Sequence, residues 1–183
     1  MQAATCPAYL PPLGDRISFP PMKASESDLM ERLAALSISV TTERHEPVFT
    51  VDDTKSVRSA LPGGHCKSLF LKDKKGAYWL VVALEDTQVD LKTLQKKLGA
   101  ARLSFARAER LDEILGVEPG SVTPFALINE TASVVTVVLE AAMLEADLLN
   151  YHPLHNRATS VIRPDDLLAF IRASGHEPRI MAF

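Results

Sequence analysis

The chain predicts a mixed α/β fold: a mixed, largely antiparallel, curved sheet with helices packed around it. Three observations carry this. Short apolar runs of strand length are interspersed with helix-period segments. Two pairs of runs are joined by polar turns, Lys72 to Gly76 and Asn129 to Thr131, which read as hairpins. The order of elements does not follow the regular strand–helix alternation of a parallel βαβ fold.

Ser25 or Ser27 caps a first helix running to about Leu36, with Leu29, Leu33 and Leu36 on one face. Val40 to Glu46 reads as a strand that stops at Pro47. Asp52 and Asp53 open a short helix through Ala60, ended by Pro62-Gly63-Gly64. Ser68 to Leu71 and Ala77 to Leu84 form the first hairpin. Asp90 begins a helix through Leu98, closed by Gly99. A short strand at Leu103 to Phe105 precedes a helix from Arg107 to Leu115, closed by Gly116. Phe125 to Asn129 and Val134 to Leu139 form the second hairpin, followed by a helical turn at Ala141 to Leu144. Strands at Leu148 to Tyr151 and Ala158 to Ile162 flank a loop. Pro164 sits in the first turn of a helix running from Asp165 to Ala173, and Glu177 to Met181 closes the sheet.

A length of 183 residues suits one sizeable core. Residues 1–21 are Pro-rich and turn-like and read as an extension; residues 22–183 read as one domain. No apolar stretch approaches a membrane span, and the run Val134 to Met143 is broken by Thr136 and Glu140. No membrane partner is expected. The extension is not a secretory signal. Two cysteines, Cys6 and Cys66, make no disulfide framework, so a reduced, cytoplasmic setting is the simple expectation. The net charge of −3 argues against a broad nucleic-acid binder, and no DNA partner is expected. The charge is uneven, however. Lys55 to Arg110 holds 12 of the 20 basic and 5 of the 23 acidic residues, a net of +7 against −10 elsewhere. Either these cations share a face that meets a polyanion such as an acceptor stem, or they are separate solvated faces.

Three segments combine backbone-permissive residues, polar groups and adjoining apolar runs: Gly63 to Asp73 (GGHCKSLFLKD), Gly116 to Asn129 (GVEPGSVTPFALIN) and Asn150 to Asn156 (NYHPLHN). Lys67 can hold a phosphate or the terminal ribose region, or cover an apolar edge with its stem. Gly120 permits close approach of a ligand, and amides between Gly120 and Pro124, at Ser121 and beyond, can face a developing oxyanion. The same residues also read as a plain turn. His152 can hold a water or orient a ribose, or the His-Pro-Leu run is a structural corner. His155 reads as structural. Cys66 beside His65 raises a thiol nucleophile, but it fits better as a filler of a small space. No carboxylate or Cys completes a metal set around His152 and His155.

Together the Lys after Gly-Gly-His-x, the Gly-x-x-x-Pro loop at Gly120 to Pro124 and the His-Pro-Leu-x-Asn run at His152 to Asn156 resemble the YbaK-like, prolyl-tRNA synthetase-associated editing domain family. The likeness runs from about Asp28 to Ile180 and is closest to its free-standing, alanine-specific prolyl-tRNA editing proteins. The resemblance implies hydrolysis of the ester in mischarged Ala-tRNA(Pro), without metal or cofactor. Cys-, Ser- or Thr-tRNA are alternative substrates, and a non-catalytic tRNA- or synthetase-binding module is the alternative class. It implies catalytic roles for Lys67, Gly120, Ser121 and His152. Substrate contacts fall to Ser68 (where relatives often carry Asn), Thr123, Pro124 and Asn156; beyond what the resemblance implies, the apolar residues Val48, Phe49, Leu69 and Phe125 near the motifs are candidates for a pocket wall. The implied partners are the aminoacylated 3′ end and acceptor stem of tRNA(Pro), with prolyl-tRNA synthetase or an elongation factor besides.

Overall fold

The computed structural model describes residues 23–46 and 61–183. The 1–21 extension, Val48, Phe49 and the helix expected from Asp52 to Ala60 lie outside the described residues.

The described elements run α1 (Glu26–Ala35), β1 (Thr41–Arg44), β2 (Gly64–Asp73), β3 (Tyr78–Leu84), α2 (Leu91–Leu98), β4 (Leu103–Phe105), α3 (Ala108–Leu115), β5 (Val135–Glu140), β6 (Leu149–Tyr151), β7 (Ala158–Ile162), α4 (Pro164–Ala173) and β8 (Arg179–Met181). Short 3₁₀ turns occupy Pro124–Ile128 and Ala142–Glu145. Ser25, not Ser27, caps α1, through a reciprocal capping box with Asp28. Asp90 caps α2, whose end is turned by Gly99 at φ 67°.

The strands form one mixed sheet in the order β1-β7-β6-β2-β3-β5-β8, with β4 on β2. The pairings β1/β7, β6/β7, β2/β3 and β2/β4 are antiparallel; β2/β6, β3/β5 and β5/β8 are parallel. The long strand β2 organises the sheet. One edge pairs with β3 from Cys66 to Lys72; the other gives Gly64 and His65 to β6 and Leu71 to Asp73 to β4. Between those two partners the sheet splits, and the residues between, Cys66 to Phe70, carry the first motif.

Side chains alternate along β2. Phe70, with Cys66 against it, enters the larger core, where α1, α3 and α4 supply Leu29, Leu33, Leu115, Leu167 and Phe170. Leu69 and Leu71 face a smaller core closed by Leu94 and Leu98 of α2. Lys67 therefore lies on the α2 side of the sheet, and Ser68 on the other.

The expected second hairpin does not form. Pro124–Ile128 is a 3₁₀ turn, and β5 lies between β3 and β8, parallel to both. Pro124 starts that turn, and the Thr123 hydroxyl accepts the Phe125 N–H at 3.3 Å. Phe125, Ala126 and Leu127 are all buried, so no alternation marks an exposed face. A five-residue apolar run suits a buried turn as well as a strand. The loop after it is held by Glu130, whose Oε1 accepts from Ala132 and Val134 N–H; its Oε2 lies 3.0 Å from His176 Nε2 in a buried pair.

Candidate active site

The second and third motifs face each other. Gly116 to Pro119, Ser121 and Leu154 to Arg157 line one open cleft of about 700 Å³ together with Lys23, Arg44 and Asp112; Gly120 and His152 are not among its lining residues. Gly116 turns the end of α3 at φ 65°, where the Asn129 amide, donating to Leu115 O and accepting from Ala24 N, packs against its backbone. Gly120 sits exposed at φ 90° with open space around a notional Cβ, so the backbone angle alone calls for glycine there.

The loop amides are only partly free. Ser121 N–H donates to Glu118 O at 3.0 Å, which closes the turn. That amide is spent internally and does not point at a ligand. Ser121 is 5% exposed and Thr123 is fully buried, its hydroxyl engaged with Phe125 N–H. Pro124 is buried. Phe125 is a core residue and not a pocket wall: it is 0% exposed and packs edge-on against Tyr151 and Phe170. Asn156 lines the cleft.

The loop from β6 to β7 presents two histidines differently. His155 Nε2 donates to Glu26 Oε2 at 2.8 Å, and its Nδ1 accepts from Arg157 N–H; Glu26 also takes Arg44. His155 is a structural tie, as read from the sequence. His152 Nδ1 donates to Ala158 O at 3.0 Å, which leaves Nε2 with a lone pair. Burial holds the His152 ring below the ordinary histidine range, with the neighbouring His45 and His155 adding to the effect and the Ala158 contact opposing it. The imidazole is thus neutral near pH 7.

The first motif lies beside a second recess, a groove of about 470 Å³ lined by Gly63, Gly64, His65 and Leu84 to Thr87. Lys67 lines neither recess. Its ammonium donates to Glu85 O at 2.8 Å and to Thr87 O, so it holds the turn after β3. Two of its three protons are engaged and one remains. Glu140 holds that turn from within: its carboxylate accepts Leu84 N–H at 2.8 Å and the Thr87 hydroxyl. Asn150 pins the motif's start, donating to Pro62 O and Gly64 O. Both are buried polar residues that sequence reading gave no role, although a carboxylate interrupting an apolar strand was a visible signal.

Cys66 is poorly set up as a nucleophile. Burial pushes its thiol up to about 11, the nearby Glu140 and Glu85 carboxylates adding and contacts from Tyr151 and Asn150 opposing. Among the described residues no three His, Cys, Asp or Glu side chains converge as a metal set.

Comparison with known proteins adds to this geometry. A model of the aminoacyl-tRNA editing domain matches residues 45–170. Prolyl-tRNA synthetase associated domain-containing protein 1 from Bos taurus is 41% identical over 160 residues, 85% of this chain and 93% of that protein. Prolyl-tRNA editing protein ProX from Acetoanaerobium sticklandii is 36% identical over 149 residues, covering 81% and 91%. A solved structure described as a candidate trans-editing enzyme for prolyl tRNA synthetase superposes with TM-score 0.65 at 20% identity, over 86% of this chain and 96% of that one.

Proposed function

The chain belongs to the aminoacyl-tRNA editing domain family, and we propose that it acts in trans to hydrolyse the ester of mischarged Ala-tRNA(Pro), without a metal ion. The observation that supports this reading best is the open cleft in which the Gly-x-x-x-Pro loop meets the His-Pro-Leu-x-Asn loop. Its volume is large enough for a nucleotide end.

The reaction asks little of side chains, because an aminoacyl ester is already activated. Water adds to the carbonyl carbon, the bond from that carbon to the ribose oxygen breaks, and the ribose oxygen takes a proton. Free alanine and tRNA leave. Positioning and a polarised carbonyl supply most of such a barrier reduction. In this reading neutral His152, two residues before the cleft-lining Leu154, accepts a hydrogen bond from the attacking water through Nε2, and Asn156 holds the substrate end. The remaining Lys67 proton and the groove beside Gly63 to His65 receive the terminal ribose or a phosphate. Gly120 lets the loop backbone approach the ester.

Editing of this kind has a physical motive. A synthetase pocket built for proline rejects a smaller side chain by only about 1–3 kcal/mol per methylene. A second pocket that excludes by size restores fidelity. Alanine is favoured here over cysteine, serine and threonine by the resemblance of the three motifs.

The decisive test is deacylation of Ala-tRNA(Pro) beside Pro-, Cys-, Ser- and Thr-charged tRNA, with EDTA present. Loss of alanine alone is the expected outcome. No hydrolysis of any substrate, with tRNA binding retained, would replace this reading by a non-catalytic binding module. Hydrolysis only without EDTA would overturn the metal-free mechanism.

A further inference from the structure

The uneven charge of the sequence acquires a location at the far end of β2. There β2 pairs with β4 so that Lys72 stands opposite Ser104, and the ladder continues with Lys74 N–H donating to Arg102 O at 3.1 Å. Directly opposed residues share a face, and so do residues two apart on one strand. Lys72, Lys74 and Arg102 therefore project from one face, with Ser104 among them, and all four are exposed. Tyr78, opposite Lys72 on β3 and stacked on Phe70, closes the base of this patch.

Two features distinguish it from an ordinary solvated surface. First, among the described residues none of the three cations has a carboxylate partner, whereas Lys23, Arg44, Arg110 and Arg172 each have one. The nearest acid in sequence, Asp73, is withdrawn. It is 5% exposed, and its oxygens accept N–H groups of Lys75, Ala77 and Ala101. Burial pushes its carboxyl up, but these amides outweigh that and hold it below the usual carboxylate range. Second, that same carboxylate ties the β2–β3 turn to the residue before Arg102. The backbones bearing the three cations are thus fixed before any partner arrives, which lowers the ordering cost of binding.

We propose that Lys72, Lys74 and Arg102 form a phosphate-contacting surface that grips the body of the tRNA, away from the hydrolytic cleft. The proposal rests on the editing reading for the identity of the RNA. The cations alternate along two adjacent strands at roughly 5–7 Å, a spacing of the order of the repeat along a sugar–phosphate backbone. Point charges of this kind position a nucleic acid without reading its bases. The face therefore adds affinity for tRNA generally and leaves the choice among tRNAs to other contacts.

The test compares the full chain with a K72E/K74E/R102E variant and a K92E/K96E control, the latter altering exposed cations of α2. Binding of uncharged tRNA is titrated between 50 and 200 mM salt. Three lost phosphate contacts should lower the slope of log K against log salt by about 2–3 and weaken binding roughly 10-fold or more at low salt. The control should lose much less. In turnover, the triple variant should show a raised KM on Ala-tRNA(Pro) with kcat kept, and unchanged hydrolysis of alanine esterified to adenosine alone. Wild-type affinity and slope in the triple variant, or an equal loss in the control, would overturn the surface while leaving the deacylase reading intact. If the unaltered chain hydrolyses neither substrate, the deacylase reading falls, and the salt titration alone still decides for or against the surface.

Discussion

Replacing Lys67 by Met removes the ammonium and keeps a stem of similar length, so packing against the neighbouring strand survives. The loss is the pair of charged hydrogen bonds to Glu85 O and Thr87 O. Bonds to a charged group contribute about 1.5–3 kcal/mol each at most. Both carbonyls belong to half-exposed residues and can turn to water, so each bond falls to the value of an ordinary hydrogen bond, about 1 kcal/mol, or about 2 kcal/mol in all. For a chain of 183 residues this corresponds to a fall in Tm of about 4–8 °C. If the third proton also contacts substrate, kcat/KM on Ala-tRNA(Pro) should drop about 100-fold, or ~2.7 kcal/mol. Thermal unfolding and steady-state deacylation measure the two effects separately. A lowered Tm with kcat/KM within twofold of the parent would make Lys67 a turn anchor only. An unchanged Tm would refute the energetic role assigned to the two carbonyl contacts.

Three further outcomes follow from the same geometry. Gly63→Ala should destabilise strongly, because a Cβ at φ 98° would meet Leu148 O at 2.5 Å; backbone strain alone costs about 1–3 kcal/mol, and a Tm loss under about 2 °C would contradict the close approach of β2 to the segment before β6. His152 is neutral in the fold and takes up its proton more readily when unfolded, so His152 should lower stability as pH falls below about 6.5. Deacylation should fall with it on protonation, at a pH below the ordinary histidine range, and His152→Gln should abolish that limb of the pH–rate profile; a limb that persists assigns the titration to another group. Cys66→Ala should retain turnover, and the parent should keep its activity on treatment with a thiol reagent, since the buried Cys66 thiol stays protonated; loss of hydrolysis in a variant that melts normally would restore the nucleophile reading.

Local chemistry was legible in the order of residues. Asp90 and Gly99 bound α2, and Pro164 opens α4, because caps and φ constraints act within one turn of chain. The first hairpin was legible because a polar turn joins two apolar runs, and the three motif segments because each sets permissive backbone beside polar groups. The family, too, was written in those motifs. The Pro124–Ile128 turn was not, since a short apolar run buried on all sides carries no period. The partner of each polar group was decided only by the tertiary structure. Lys67 meets carbonyls 18 and 20 positions away, Glu140 meets Leu84 N–H across 56 positions, and His155 finds Glu26 across 129. Such pairings depend on which strands lie side by side. The order β6-β2-β3-β5 is set by burying two cores on opposite faces of one sheet, a condition that no local stretch of sequence can express.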